Sequence, residues 1–329
     1  MNRCFITLEQ LPESNTNPLM KDSAAQELYG CSFVSAQLGM TRKELLVEGR
    51  RFVKGISIPG VQPKLPMKVD NISKQLTLAG SDGEYILKPT RDGFHNYAEM
   101  EHLCMEISRA LGIDTALCGL VQYADGELAY ITKRFDRTPL GKLHQEDLCS
   151  LSDKPTSEKY NSTYEEAGRE LLLATGAKVS VQCDYFQRVL AAYLVGNDDF
   201  HLKNFSVQRL AGNRGLTYDS LTPNYDCLCT EFYELSVFGL LAMPLLDQEL
   251  NGEYSEAYEH YGYYTKTDFL SLADAIGIGE QQAIEVLERL GETQQKVLSL
   301  IEVSFISDKL KAEFKALVEG RYRAICAEY

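Results

Sequence analysis

The apolar residues of this chain repeat with one period in its first part and another in its second, so no single class of secondary structure satisfies both. Between about residues 50 and 135, the short runs Gln75-Leu76-Thr77-Leu78 and Tyr85-Ile86-Leu87-Lys88 flank the turn signal Ser81-Asp82-Gly83, and Leu128-Ala129-Tyr130-Ile131-Thr132 follows. Runs this short, bounded by turn residues, predict strands. One helix is predicted between them, because Met100, Leu103, Cys104, Ile107 and Leu111 recur at helical spacing and Gly112 stands where a helix should stop. From about residue 184 the period is helical. Asp184 is the predicted cap of a helix whose face carries Phe186, Val189, Leu190, Tyr193 and Leu194 and which ends at Gly196. Further helices are predicted over 268–276, 280–290, 293–303 and 308–325, the last with a stripe of Leu310, Phe314, Leu317 and Tyr322. The segment 138–165, rich in Ser, Lys, Asp and Thr, reads as a connection with little internal core. A chain of 329 residues can build two lobes with cores of their own. The expectation is an α+β protein, with a small β-rich first lobe over 1–137 and a mostly helical second lobe over 138–329.

Composition removes several classes of function. No apolar run approaches the roughly 18 residues that span a bilayer, so no membrane segment is expected. The start, Met1-Asn2-Arg3-Cys4-Phe5-Ile6-Thr7-Leu8, lacks the apolar core and cleavage site of a secretory signal, and the expected location is the cytoplasm. The formal charge of −14 argues against direct nucleic-acid binding, which needs lysine and arginine to displace counterions from phosphates. Nine cysteines without a C-x-x-C pair read as reduced and mostly buried thiols.

The stretch with the most chemical content is Gly196-Asn197-Asp198-Asp199-Phe200-His201-Leu202-Lys203-Asn204-Phe205, directly after the predicted helix. Asp199 and Asn204 have the spacing D-x-x-x-x-N. Phosphoryl-transfer loops of protein kinases use it because the carboxylate takes up a hydroxyl proton while the amide oxygen a few residues on ligates magnesium. Alone, the spacing also fits a polar turn after a helix. Asp226, in Thr222-Pro223-Asn224-Tyr225-Asp226-Cys227, offers a second hard oxygen for a magnesium–ATP site, with Asp219 as a nearby competitor. Lys88 ends a predicted strand and could neutralise the α/β oxygens of a triphosphate, with Glu101 on the following helix fixing its rotamer. Gly55-Ile56-Ser57-Ile58-Pro59-Gly60-Val61-Gln62-Pro63-Lys64-Leu65 is a small-residue loop that could cradle phosphate or form a plain turn.

Taken in order, these elements resemble the HipA family of bacterial serine/threonine kinases, the toxin halves of toxin–antitoxin modules. The resemblance runs from residue 57 to 230. It is carried by Ser57-Ile58-Pro59-Gly60-Val61-Gln62-Pro63-Lys64-Leu65, Tyr85-Ile86-Leu87-Lys88-Pro89, Lys133-Arg134-Phe135-Asp136-Arg137, His144-Gln145-Glu146-Asp147, the Asp199 loop with His201 and Lys203, and Thr222-Pro223-Asn224-Tyr225-Asp226. It implies a bilobal protein-kinase-like fold with ATP and Mg2+ as cofactors. The ATP phosphates would lie on Pro59, Gly60, Val61, Gln62, Pro63, Lys64 and Lys88, with Glu101 behind the lysine. Lys133, Arg134 and Phe135 would serve as the adenine hinge, and His201 and Lys203 would join the nucleotide site. Asp199 would be the base, and Asn204 and Asp226 would be the metal ligands. It further implies autophosphorylation at Ser57, which would displace the loop and silence the enzyme. The implied partners are a HipB-like DNA-binding antitoxin and an aminoacyl-tRNA synthetase as substrate. With only about fifty residues before the loop, the chain is most similar to HipT, the short toxin of HipBST modules. That subset implies a small HipS-like partner and tryptophanyl-tRNA synthetase as target. Pro59 leaves Ser57 as the lone serine of the loop.

Overall fold

The computed structural model describes residues 2–52, 62–90, 92–139, 141–233 and 239–326, with the side chains of 50–52 excepted. They form two compact units. Unit 1 comprises Met1–Glu106, Ala116–Phe135 and Glu302–Ser307, and unit 2 comprises Ile107–Thr115, Asp136–Ile301 and Asp308–Tyr329. The whole is a mixed α and β fold with an antiparallel sheet in the first unit and mostly helices in the second.

Unit 1 opens with helices α1 (Asp22–Tyr29) and α2 (Arg42–Phe52), neither of them legible in the sequence reading. Thr41 and Glu44 form a reciprocal cap at the start of α2: the Thr41 amide donates to the Glu44 carboxylate at 2.8 Å and the Glu44 amide to the Thr41 hydroxyl at 3.3 Å. Strands β1 (Leu65–Val69), β2 (Leu76–Leu78), β3 (Tyr85–Pro89), β4 (Cys118–Gln122) and β5 (Leu128–Lys133) make one sheet in the order β2-β1-β3-β5-β4. All its pairings are antiparallel. The predicted strands are therefore present, and β1 and β4 join them. Helix α3 (Tyr97–Ala110) carries the expected apolar positions, with Met100, Leu103 and Cys104 fully buried, and Gly112 follows at φ +85°. That φ suits glycine, which has no Cβ to clash.

Unit 2 is built around a long helix. Strands β6 (Arg137–Thr138) and β7 (Gly141–Lys142) pair with each other, and β8 (His144–Asp147) leads into the short helix α4 (Leu148–Leu151). Helices α5 (Tyr164–Ala174) and α6 (Val179–Val195) follow, then strands β9 (Ser206–Arg209) and β10 (Ser220–Leu221), which complete a β10-β9-β8 sheet. Helices α7 (Glu256–Tyr261), α8 (Lys266–Ala275), α9 (Glu280–Glu292), α10 (Gln294–Val303) and α11 (Asp308–Cys326) finish the unit. The last four cover the predicted C-terminal helices. Helix α6 is apolar around most of its circumference and packs against α5, α9 and α11, as a helix buried on all sides must.

Two expectations are corrected. Asp184 does not cap α6, which begins at Val179 with Lys178 at its cap; Asp184 instead lies within the helix and accepts two hydrogen bonds of 2.9 Å from Arg188, four residues on. Val179 and Val181 continue the apolar pattern back past the aspartate, so the acid becomes the partner of a nearly fully buried guanidinium. The 138–165 segment, read as a connection with little internal core, carries more structure than that among its described residues. Its Leu148 and Cys149 are buried, Asp147 caps α4 through the Ser150 amide at 2.9 Å, and Thr163 caps α5 through the Glu166 amide at 2.9 Å. All nine cysteines are free thiols, six of them buried. Among the described residues no helix is long and apolar enough to cross a membrane.

Candidate active site

In unit 1, Lys88 sits on β3, which pairs with β1 on one side and β5 on the other. A strand held on both sides cannot shift along its axis without breaking two ladders, so the lysine's Cα is fixed. Its ammonium forms an ion pair with the Glu101 carboxylate of α3, and the two side chains are only 5% and 2% exposed. Nζ also lies 5.3 Å from the centre of the Tyr130 ring, on the ladder partner of Lys88. Charges this deep are tolerated only when paired. The sequence expectation of a Lys88–Glu101 pair is met thirteen residues apart in the chain. Gln62 donates its side-chain amide to the Pro89 carbonyl at 3.0 Å, which ties the chain before β1 to the end of β3. Pro63 is half-buried and Lys64 exposed. Lys133, Arg134 and Phe135 leave β5 half-buried, with the Lys133 and Arg134 amides donating to the carbonyls of Leu117 and Glu84 at 2.8 Å. Ser57, Pro59, Gly60 and Val61 lie outside the described residues.

In unit 2, α6 ends at Gly196, whose φ of +68° turns the chain sharply into the D-x-x-x-x-N loop. Thr230 pins that turn. Its amide donates to the Gly196 carbonyl at 3.0 Å, and its hydroxyl accepts from the Asp198 amide at 2.8 Å while donating to the Asp198 carboxylate. Phe200, Leu202 and Phe205 are driven into the core, where Phe205 meets the rings of Phe200 at 4.4 Å and Tyr185 at 4.8 Å. Tyr164 donates its phenol to the Phe200 carbonyl at 2.7 Å. From Ala191 to Val207 every side chain is buried apart from half-buried Lys203 and exposed Asp199. Asp199 keeps half of its side-chain surface open.

Among the described residues, the hydrogen bonds and ion pairs of the Asp199 carboxylate all fall on one oxygen. Oδ1 accepts from the Tyr160 phenol and lies 4.0 Å from the Lys159 ammonium and 3.7 Å from His201 Nε2. His201 is nine-tenths buried; burial pushes its pKa down to about 4, against the pull of Asp199, so the ring is neutral at pH 7. Asp226 also acts electrostatically on that ring. Asn204 is buried, and its carbonyl oxygen accepts from the His201 amide at 3.2 Å. Lys203 pairs with Asp147 at 2.7 Å. Burial opposes ionisation of Asp147, but the Lys203 ammonium and the Ser150 amide outweigh it and hold the carboxyl below its usual range.

Asp226 has φ +58°, a left-handed conformation that costs a non-glycine residue energy and persists only where its surroundings enforce it. Those surroundings are visible. Asn224 is anchored by its amide to the Asp114 carbonyl at 2.7 Å and by its side chain to Ser108 at 2.9 Å, and the Tyr225 phenol donates to the Lys203 carbonyl at 2.8 Å. Asp219 is committed elsewhere. It accepts from Asn213 at 2.7 Å and from the Leu210 amide at 2.8 Å, closing the β9–β10 hairpin, and these bonds depress its pKa.

As hard oxygen donors, the Asn204 amide and the Asp226 carboxylate would suit magnesium better than zinc. Among the described residues no group of three His, Cys, Asp or Glu could hold a metal alone. Two such oxygens would be enough for a hard ion only if phosphates and water supplied the rest of its shell. Sequence reasoning missed Lys159 and Tyr160, which sit in the segment read as a connection and have no spacing relation to the loop. It also missed Asp198 and Thr230, and gave Asp147 no role.

A sheet bearing a buried lysine–glutamate pair, and a helical unit bearing a D-x-x-x-x-N loop, define a protein-kinase-like fold. Known structures agree. HipA of Shewanella oneidensis, solved with HipB and operator DNA, superposes with a TM-score of 0.65 at 20% identity over 87% of this chain and 71% of its own. The proinflammatory kinase CtkA of Helicobacter pylori gives 0.53 at 16% identity over 88% and 94%. The sequence signature of the HipA-like C-terminal domain matches residues 56–298, and the chain belongs to that family. A Haemophilus influenzae protein described as "Putative kinase" is 30% identical over 323 residues, 93% of this chain and 92% of its own. A Sinorhizobium fredii protein of similar description is 32% identical over 204 residues, and there the chain spans 48% of the relative.

Proposed function

We propose that this chain is an ATP-dependent serine/threonine protein kinase and the toxin of a toxin–antitoxin module. The observation that carries the reading is the exposure of Asp199 alone within a buried loop that also holds Asn204. Exposing one carboxylate in such a stretch makes sense if a substrate hydroxyl must reach it. In this reading Asp199 accepts the proton of the acceptor hydroxyl as that oxygen attacks the γ-phosphorus and ADP departs. Lys88, its rotamer fixed by Glu101, neutralises nucleotide phosphate oxygens. Asn204 and Asp226 would hold Mg2+, which when bound supplies positive charge to the phosphates. Lys203, His201, Gln62, Pro63 and Lys64 belong to the nucleotide's surroundings, with Lys133, Arg134 and Phe135 along the adenine.

The lobes of this kinase would follow the division read in the sequence, 1–137 and 138–329. The family membership supports the finer proposals: inhibitory autophosphorylation at Ser57, a HipB-like antitoxin partner, a HipT-like identity with a small HipS-like companion, action in the cytoplasm, and an aminoacyl-tRNA synthetase, tryptophanyl first, as target. The test is phosphotransfer from magnesium–ATP by the purified chain to a panel of synthetases and to small hydroxyl compounds. Transfer to a synthetase serine or threonine supports the reading. Transfer to small hydroxyls alone would replace it with a small-molecule kinase.

A further inference from the structure

Asp199 has two carboxylate oxygens, and the protein treats them differently. Tyr160, Lys159 and His201 all address Oδ1, while among the described residues no hydrogen bond or ion pair falls on Oδ2. Tyr160 is itself held. Its ring meets His201 edge-on at 5.0 Å, the Lys159 ammonium lies 4.7 Å over its face, and the Lys159 carbonyl accepts the Leu202 amide at 3.2 Å. The residue next to it is thus sewn to the catalytic loop, although forty positions separate Tyr160 from Phe200. Burial, reinforced by the hydrogen bond to Asp199, raises the phenol's pKa, so at neutral pH it is a donor.

From this one-sided arrangement we infer that Tyr160 is a positioning residue for phosphotransfer: its phenol fixes Asp199 through Oδ1, so that Oδ2 is the atom that receives the acceptor proton. The inference rests on Asp199 being the base. A carboxylate free to rotate about its last torsion would present either oxygen in many orientations, whereas one anchored at Oδ1 presents Oδ2 in one, and productive geometry is worth large factors in rate. Tyr160 also walls a cavity of about 160 Å3 with Leu241, Met243, Pro244, Tyr254 and Tyr258. Removing the whole ring would therefore change two things at once. Tyr160→Phe removes only the hydroxyl.

The experiment is a double-mutant cycle on phosphotransfer by the full chain, with kcat and both KM values measured for wild type, Tyr160→Phe, Asp199→Asn and the double variant. Tyr160→Phe should lower kcat by about 10- to 100-fold, leave KM for ATP within about twofold, and cause no further loss in the Asp199→Asn background. Lys159→Met should lower kcat less. A wild-type kcat in Tyr160→Phe, or equal losses in both backgrounds, overturns the inference while leaving the kinase reading standing. A raised kcat would make Tyr160 a plug in the acceptor's place, and phosphate found on Tyr160 by peptide mass mapping would make it a substrate; either overturns the positioning role. Wild type that transfers no phosphoryl group removes the kinase reading, and the inference with it.

Discussion

Unit 1 and unit 2 solve the problem of placing a charge in opposite ways. In unit 1 the ammonium of Lys88 is sealed against Glu101, on a strand paired on both sides. In unit 2 the carboxylate of Asp199 is left half-open, and precision comes from its backbone: a left-handed glycine, Thr230 bonded across the turn, and three apolar side chains driven into the core. The proposed roles of the two charges would account for the difference. A lysine that only neutralises phosphate can be locked by a buried counterion, whereas a base must exchange protons with an incoming hydroxyl and cannot be locked into an ion pair at both oxygens. An Asp199 carboxylate engaged at Oδ1 and, among the described residues, open at Oδ2 is the compromise.

The contrast can be broken experimentally, first at the sealed pair. Lys88→Met leaves Glu101 buried without its ammonium and should cost about 3–5 kcal/mol in denaturant unfolding, while Lys88→Met with Glu101→Leu should recover most of that loss. A loss below about 1 kcal/mol for the single variant would mean that water reaches the pair. The backbone device of unit 2 comes next. Gly196→Ala puts a Cβ 3.1 Å from Glu231 Oε2 at φ +68° and should cost about 1–2 kcal/mol, read as a lower unfolding midpoint. At the proposed metal ligand, Asp226→Asn should weaken magnesium-dependent nucleotide binding, and Asp219→Ala, which only loosens the hairpin, should not; the reverse result would exchange their roles. The smallest effect belongs to the open ion pair. Lys203→Met should cost at most about 1 kcal/mol at pH 7. Because Asp147 titrates below its ordinary 3.8 when folded, the pair's contribution is complete above that value and fades as the pH falls through the folded pKa. The gap between wild type and Lys203→Met in acid unfolding curves should therefore close below pH 3.8.

Much of this was legible in residue patterns. The strands β2, β3 and β5, the helix α3 and the C-terminal helices follow from period and punctuation, and Lys88 and Glu101 were paired correctly from strand-then-helix order. What failed has physical causes. Asp184 looks like a cap because aspartate is favoured there, but the apolar run extends past it to Val179, and packing of α6 overrides the local preference. The Lys159–Tyr160 step is invisible because its partner Asp199 is far along the chain, and long-range hydrogen bonds leave no periodic trace. Asp226 is read as the metal ligand with Asp219 as its competitor; in the structure Asp219 is bonded into its hairpin and Asp226 has a left-handed φ.

Whether Asp199 is the base can be read from single-turnover phosphotransfer with nucleotide binding measured in parallel. Asp199→Asn keeps the size of the side chain and removes its ability to take a proton. With Asp199 as the base, transfer by this variant is slower by about 10²- to 10⁴-fold, with affinity for magnesium–ATP within about twofold of wild type and an unchanged unfolding midpoint. Asp199→Asn transferring phosphate at close to the wild-type rate would contradict that role.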